Sequence, residues 1–144
     1  MSKPIDVALI LWNQDVIELM SWVLHHRDLN SSGVEPSAGD ERIENFITSA
    51  SPTVVVFDLG PPYDRSAQVA RRLLNRFPER SFVMTCADKT LALRIAPWLS
   101  HHTLLQKPYE MDEMANTIRL LVSSAGVAEH FLSIRSTTER LAIR

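Results

Sequence analysis

Three polar residues, far apart in the chain, each end a short strand-like run. Asp58 closes Thr53-Val54-Val55-Val56-Phe57 and is followed at once by Leu59-Gly60-Pro61-Pro62. Thr85 closes Phe82-Val83-Met84, and Lys107 closes Thr103-Leu104-Leu105-Gln106. Pro108 then forces a turn, because proline cannot extend a hydrogen-bonded ladder. In open α/β sheets ligands bind in the crevice beyond the carboxyl ends of the strands. An acid, a hydroxyl and an ammonium converging there make a polar pocket that can bind and react with a charged ligand. The alternative reading is an ion pair between Asp58 and Lys107 that holds the strand ends in register, with Thr85 bonded to backbone.

The elements that must position these groups are legible as alternating helical periods and short apolar runs. A first strand, Ile5 to Leu11, leads into a helix whose apolar positions are Val16, Leu19, Met20, Val23 and Leu24. Asp15 stands where that helix begins and is expected to cap its amides rather than bind metal. Asn30-Ser31-Ser32-Gly33 reads as a turn, and Val34 to Ala38 as a poor edge strand containing Pro36. Asp40 precedes a second helix carrying Ile43, Phe46 and Ile47, halted by Ser51-Pro52. Ser66 is expected to cap a third helix with Val69, Leu73 and Phe77 inward and Arg71, Arg72 and Arg76 in solvent, ended by Pro78. A fourth helix is predicted over Lys89 to Leu99, and a fifth with Met111, Met114, Ile118, Leu121 and Val122 on one side. Trp22 and Trp98 are read as helix-face packing. Such alternation predicts a parallel sheet sandwiched by helices.

With those elements in place, the chain resembles the receiver domain of bacterial two-component response regulators over roughly residues 5 to 124. The motifs that carry the resemblance are Asp58 with its Pro-containing loop, Thr85 ending the next strand, and Lys107-Pro108 ending the last. The resemblance implies a flavodoxin-like (CheY-like), doubly wound, five-stranded parallel sheet of order 2-1-3-4-5, with residues 1–124 as the receiver-like domain. It implies that Asp58 accepts a phosphoryl group from a histidine kinase and becomes an aspartyl phosphate. Lys107 would pair with a phosphate oxygen and the Thr85 hydroxyl would donate to another, the added charge biasing two arrangements of the fourth helix and fifth strand. It also implies a module that works in phosphorelay signalling by protein contact, not an enzyme, with a dimer through the fourth helix, fifth strand and fifth helix as a further partner arrangement. Met111 and Met114 stand near that face, as adaptable contacts or as core.

The chain departs from the family where metal is held. Trp12 and Asn13 occupy the places of the acidic pair that binds magnesium. Magnesium prefers oxygen ligands and usually draws on one or two carboxylates, so an indole and an amide should weaken binding considerably. The expected metal set is Asp58, the Gly60 carbonyl and Asn13, giving no cofactor or a weakly bound Mg2+. Trp12 is read as packing that fills the emptied metal pocket, or as an exposed ring that a partner recognises. Leu104 stands where the family has a switching aromatic, and the loop after Asp58 is about one residue short and stiffened by two prolines. Phosphorylation at Asp58 is therefore expected to be impaired.

Composition narrows the function classes. At 144 residues with 45% hydrophobic content, one core is affordable. A net charge of −2 offers no basic field for nucleic acid. One cysteine, no cationic apolar leader at the start of the sequence and no run of about 20 apolar residues together give the expectation of a cytoplasmic protein that does not enter a membrane. His25-His26 and His101-His102 lack ligand spacing and are expected on the surface, and Cys86 has no neighbouring His to activate it. Residues 125–144 read as a C-terminal tail, either an extra helix using Val127, Phe131, Ile134 and Leu141 or a frayed terminus. The competing function class is a small phosphate-bearing-ligand binder or enzyme on the same flavodoxin-like scaffold.

Overall fold

The computed structural model describes residues 5–123. Five parallel strands run β1 (Ile5–Ile10), β2 (Leu29–Val34), β3 (Val54–Leu59), β4 (Ser81–Cys86) and β5 (Thr103–Gln106), in the order β2-β1-β3-β4-β5. Between them lie α1 (Gln14–His25), α2 (Asp40–Ala50), α3 (Tyr63–Arg76) and α4 (Lys89–Ile95), and α5 covers 111–123. The predicted architecture and strand order are both found. The predicted tail lies outside the described residues. Among them no helix is long and apolar enough to cross a membrane.

The sheet is covered on both faces, and the two-residue period of each strand divides its side chains between two cores. Ala8, Ile10, Val55, Phe57, Leu59 and Met84 pack with Ile43, Ile47, Ala70, Leu73 and Leu99 on one side. Val7, Leu9, Val54, Val56 and Val83 pack with Ile17, Met20, Leu24, Met114 and Ile118 on the other, under α1 and α5. Every residue of β3 is buried, which explains its unbroken apolar spelling. Each large side chain buried this way is worth about 1.5–3 kcal/mol. Met114 is thus core, whereas Met111 is only partly buried against the same cluster.

Several local expectations are corrected. The edge strand is Leu29–Val34, so Asn30 to Gly33 form strand rather than turn, and Pro36–Ala38 make a short 3-10 turn. Residue-for-residue pairing with β1 overrides the turn propensity of those residues, as strand preference depends on context. Gly33 is required by close approach: a Cβ there would lie 2.5 Å from Ile17 Cγ2 and 2.8 Å from the Leu9 carbonyl oxygen. Gly33→Ala is accordingly expected to destabilise the fold by about 1–3 kcal/mol, read as a lowered midpoint in urea denaturation, because overpacking meets backbone that cannot yield.

Helix α1 buries Ile17, Met20 and Leu24, while Val16, Leu19 and Trp22 are exposed. The sequence holds two overlapping apolar stripes, and the helix turns the one containing Ile17 inward. Trp22, at 62% exposure, is therefore not core packing; its ring lies 4.2 Å from that of His26. The cap is Asn13, whose side chain accepts the Asp15 N–H, so Asp15 sits in the first turn and does not cap. Helix α3 starts three residues before Ser66, which instead is buried inside it. Helix α4 stops at Ile95, and a 3-10 turn, Pro97–His101, continues the chain, since Pro97 supplies no N–H for the helix. Trp98 is half-buried against the core, as expected.

Candidate functional site

Strand parity determines where the polar groups emerge. Val54 and Val56 face α1 and α5, so Asp58, two residues on, faces the same way. Asp58 is paired in register with Thr85, and Thr85 with Leu105, which places Lys107 on that face two residues beyond. The three residues predicted from sequence therefore meet at the carboxyl edge of the sheet. The Thr85 hydroxyl donates to Asp58 Oδ1 at 2.7 Å. Lys107 Nζ lies 2.9 Å from Oδ1 and donates to Oδ2 at 3.1 Å. Asp58 and Thr85 are buried, and the lysine is more open.

These groups form the floor of a cavity of about 260 Å³ whose walls include Leu11, Trp12, Val16, Met20 and Tyr109. Trp12 follows β1 directly and lies across the strand ends. Its indole Nε1 donates to the main-chain carbonyl of Asp58 at 2.9 Å. The ring presses on Gly60 so closely that a Cβ at that position would come within 2.6 Å of it. At 45% exposure it both lines the pocket and presents a surface.

Two further oxygens near the pocket, those of Asn13 and Gly60, each accept a hydrogen bond inside the fold. Asn13 Oδ1 accepts the Asp15 N–H at 2.8 Å. The Gly60 carbonyl accepts the buried Ser66 hydroxyl, which also reaches the Pro62 carbonyl at 3.4 Å. No group of three or more His, Cys, Asp or Glu side chains is placed to hold a metal ion among the described residues. Of the expected metal set, Asp58 carries the pocket's carboxylate, and Gly60 and Asn13 have their oxygens bonded elsewhere.

Sequence reasoning missed three residues that shape the site. Tyr63 Oη accepts the Asp88 N–H at 2.9 Å and Gln106 Oε1 accepts the Lys89 N–H at 2.9 Å, tying the loop after Thr85 down at both sides. Tyr109 stands two residues after Lys107, half-buried in the cavity wall. Burial, and then the Asp58 charge, push its phenol up from 10.0 to about 12. Proximity in sequence to Lys107-Pro108 was the available signal for Tyr109. For Tyr63 and Gln106 there was none, since both act through backbone N–H groups.

The phenol yields a pH prediction. The folded chain holds this proton more tightly than the unfolded one, so the contribution is complete below pH 10 and is lost as pH rises from 10 toward about 12. Partial exposure keeps the slope shallow. Tyr109→Phe is expected to remove it, seen as a smaller fall in the urea midpoint between those pH values than in the parent.

The other polar candidates stay apart from the site. The His25-His26 and His101-His102 pairs are exposed. Cys86 is buried next to Thr85, and burial, with the Asp58 charge, pushes its thiol up, away from nucleophile behaviour. Leu104 is buried in the core beneath α4.

No protein-family profile and no curated protein matches this sequence. Solved structures do match it in shape. A response regulator from Thermotoga maritima superposes with a TM-score of 0.66 at 15% identity, covering 83% of this chain and 98% of that one. A CheY-like response regulator receiver domain from Methylobacillus flagellatus gives 0.61 at 14% identity, over 81% of this chain and 98% of the other. NtrX from Brucella abortus gives 0.74 at 12% identity, over 93% of this chain but only 30% of NtrX. At these identities the likeness establishes the fold, which is the flavodoxin-like fold of CheY-type receiver domains.

Proposed function

We propose that this chain is a receiver-like module of phosphorelay signalling that acts through protein contacts rather than as an enzyme, with Asp58 as an impaired phosphoacceptor. One observation carries the reading: an acid, a hydroxyl and an ammonium are assembled, yet the pocket holds a single carboxylate, and the Asn13 and Gly60 oxygens each already accept a hydrogen bond within the fold. Magnesium requires near-octahedral oxygen coordination. Asp58 alone, already holding Thr85 and Lys107, is a poor fit to that requirement, and Trp12 fills space where further ligands would stand.

The residues retain a coherent role without the metal. Lys107 and Thr85 neutralise and orient Asp58, and Trp12 clamps its main chain, so the strand ends are locked in a single arrangement. Thr85 already points inward, its loop is tied by Tyr63 and Gln106, and Leu104 has no ring to swing. Partners on this reading are signalling proteins, a histidine kinase or a second copy among them, which recognise one constitutive surface.

Intact-mass measurement after incubation with acetyl phosphate and magnesium tests the chemical half. The expected result is an unmodified chain. A stoichiometric phosphoryl adduct that disappears in Asp58→Asn would overturn the impairment. Replacing the chromosomal copy by Asp58→Asn tests the other half: it is expected to reproduce the wild-type phenotype, whereas deletion should not. A phenotype equal to deletion would show that signalling needs the carboxylate.

A further inference from the structure

A second, larger recess, of about 730 Å³, opens at the far end of the sheet. Ser81 and Thr103, the first residues of β4 and β5, contribute to its floor, whereas Asp58 and Thr85 lie at the opposite strand ends. Its walls come from the second half of α3, the Pro97–His101 turn and Leu121 of α5. Nothing in the receiver-like reading uses it.

The chemistry of the recess differs from that of the rest of the molecule. The chain carries a net charge of −2, yet among the described residues Arg71, Arg80, His101 and His102 line this recess and no Asp or Glu does. Glu79, which is not a lining residue, approaches Arg80 Nε at 3.5 Å, and Arg80 is also tied to the Ser51 hydroxyl at 3.1 Å, so its guanidinium is held in place. Trp98 supplies a flat apolar surface. The Arg71 guanidinium sits over that ring, 5.7 Å from its centre, and the His102 ring stands edge-on to it at 5.6 Å. Burial and the neighbouring His101 lower the His102 pKa, which favours a neutral ring for packing.

We propose that this recess binds a phosphate ester of nucleotide size, its phosphate oxygens drawing the Arg71 guanidinium off the Trp98 ring and reaching Arg80, and its aromatic ring taking the place over Trp98 that Arg71 leaves. A guanidinium fork matches phosphate oxygens in pairs, and an aromatic base gains by stacking on indole. The volume falls within the range of about 300–1,000 Å³ typical of small-molecule sites. The site does not depend on the chemistry of Asp58.

The test is a titration of the full chain followed by 1H–15N NMR, with AMP, inorganic phosphate and adenosine as separate probes. AMP is expected to shift the Trp98 indole signal and the His101 to Thr103 amides saturably, with phosphate weaker and adenosine weakest. Arg71→Glu should weaken AMP binding at least about tenfold, the equivalent of about 1.4 kcal/mol. Arg76→Glu, which makes the same charge change on the same helix outside the recess, should alter it less than about twofold, under about a third of that free energy. No shift at millimolar AMP, shifts centred on Trp12 and Lys107, adenosine binding as well as AMP, or equal loss in both variants would each overturn the proposal.

Discussion

Substituting aspartate at Trp12 and Asn13 together is expected to raise magnesium-dependent labelling of Asp58 by acetyl phosphate at least about tenfold, equivalent to about 1.4 kcal/mol. The substitution adds two carboxylates beside the one already present, giving a hard cation the donors it prefers. It also removes the indole that closes on Gly60 and holds the Asp58 carbonyl. Asn13→Asp alone should gain much less, because Trp12 would still fill the space and an aspartate at the cap can take over bonding to the Asp15 amide. The measurement is intact mass against time, with Asp58→Asn in the double variant as the control. Labelling no faster than in the parent would mean that the missing acids are not what limits the site.

Lys107→Met is expected to destabilise the fold by about 1–3 kcal/mol, because the largely buried Asp58 carboxylate loses its ammonium and keeps only the Thr85 donor. The partial exposure of Lys107 argues for the lower part of that range, since water can replace some of what is lost. Adding Asp58→Asn should recover part of the loss, as an amide needs no counter-charge at the same place. Urea denaturation of the four chains gives the coupling energy directly. Additive effects of the two substitutions would contradict the pairing on which the site is built.

The legible part of this protein was the part in which strand ends coincide with polar residues. Asp58, Thr85 and Lys107 each end a strand-like run, and parity then puts all three on one face of the sheet. The parallel sheet and its helical layers followed from the alternation of elements, and the strand order from the family resemblance. What escaped were features decided by tertiary contact. β2 is spelled Leu-Asn-Ser-Ser-Gly-Val and becomes a strand only because β1 pairs with it along its whole length. The inward stripe of α1 was ambiguous because Val16 and Ile17 are both apolar, and its start is fixed by an Asn13 side chain that had been expected at a metal. Ser66 has the right chemistry for a cap, but its partner is the Gly60 carbonyl ahead of the helix, a pairing that no local pattern encodes. Trp12 shows the same limit: its type and position were readable, while the bond to the Asp58 main chain emerged only from the fold.

The most direct test is a magnesium titration of the unmodified chain, following the Trp12 indole N–H by 1H–15N NMR. That proton is bonded to Asp58 itself and would report any ion entering the pocket. The expected result is a signal that drifts slightly without saturating as magnesium rises into the millimolar range, and stays bonded. A saturable shift of the Trp12 signal at sub-millimolar magnesium, lost in Asp58→Asn, would contradict the account.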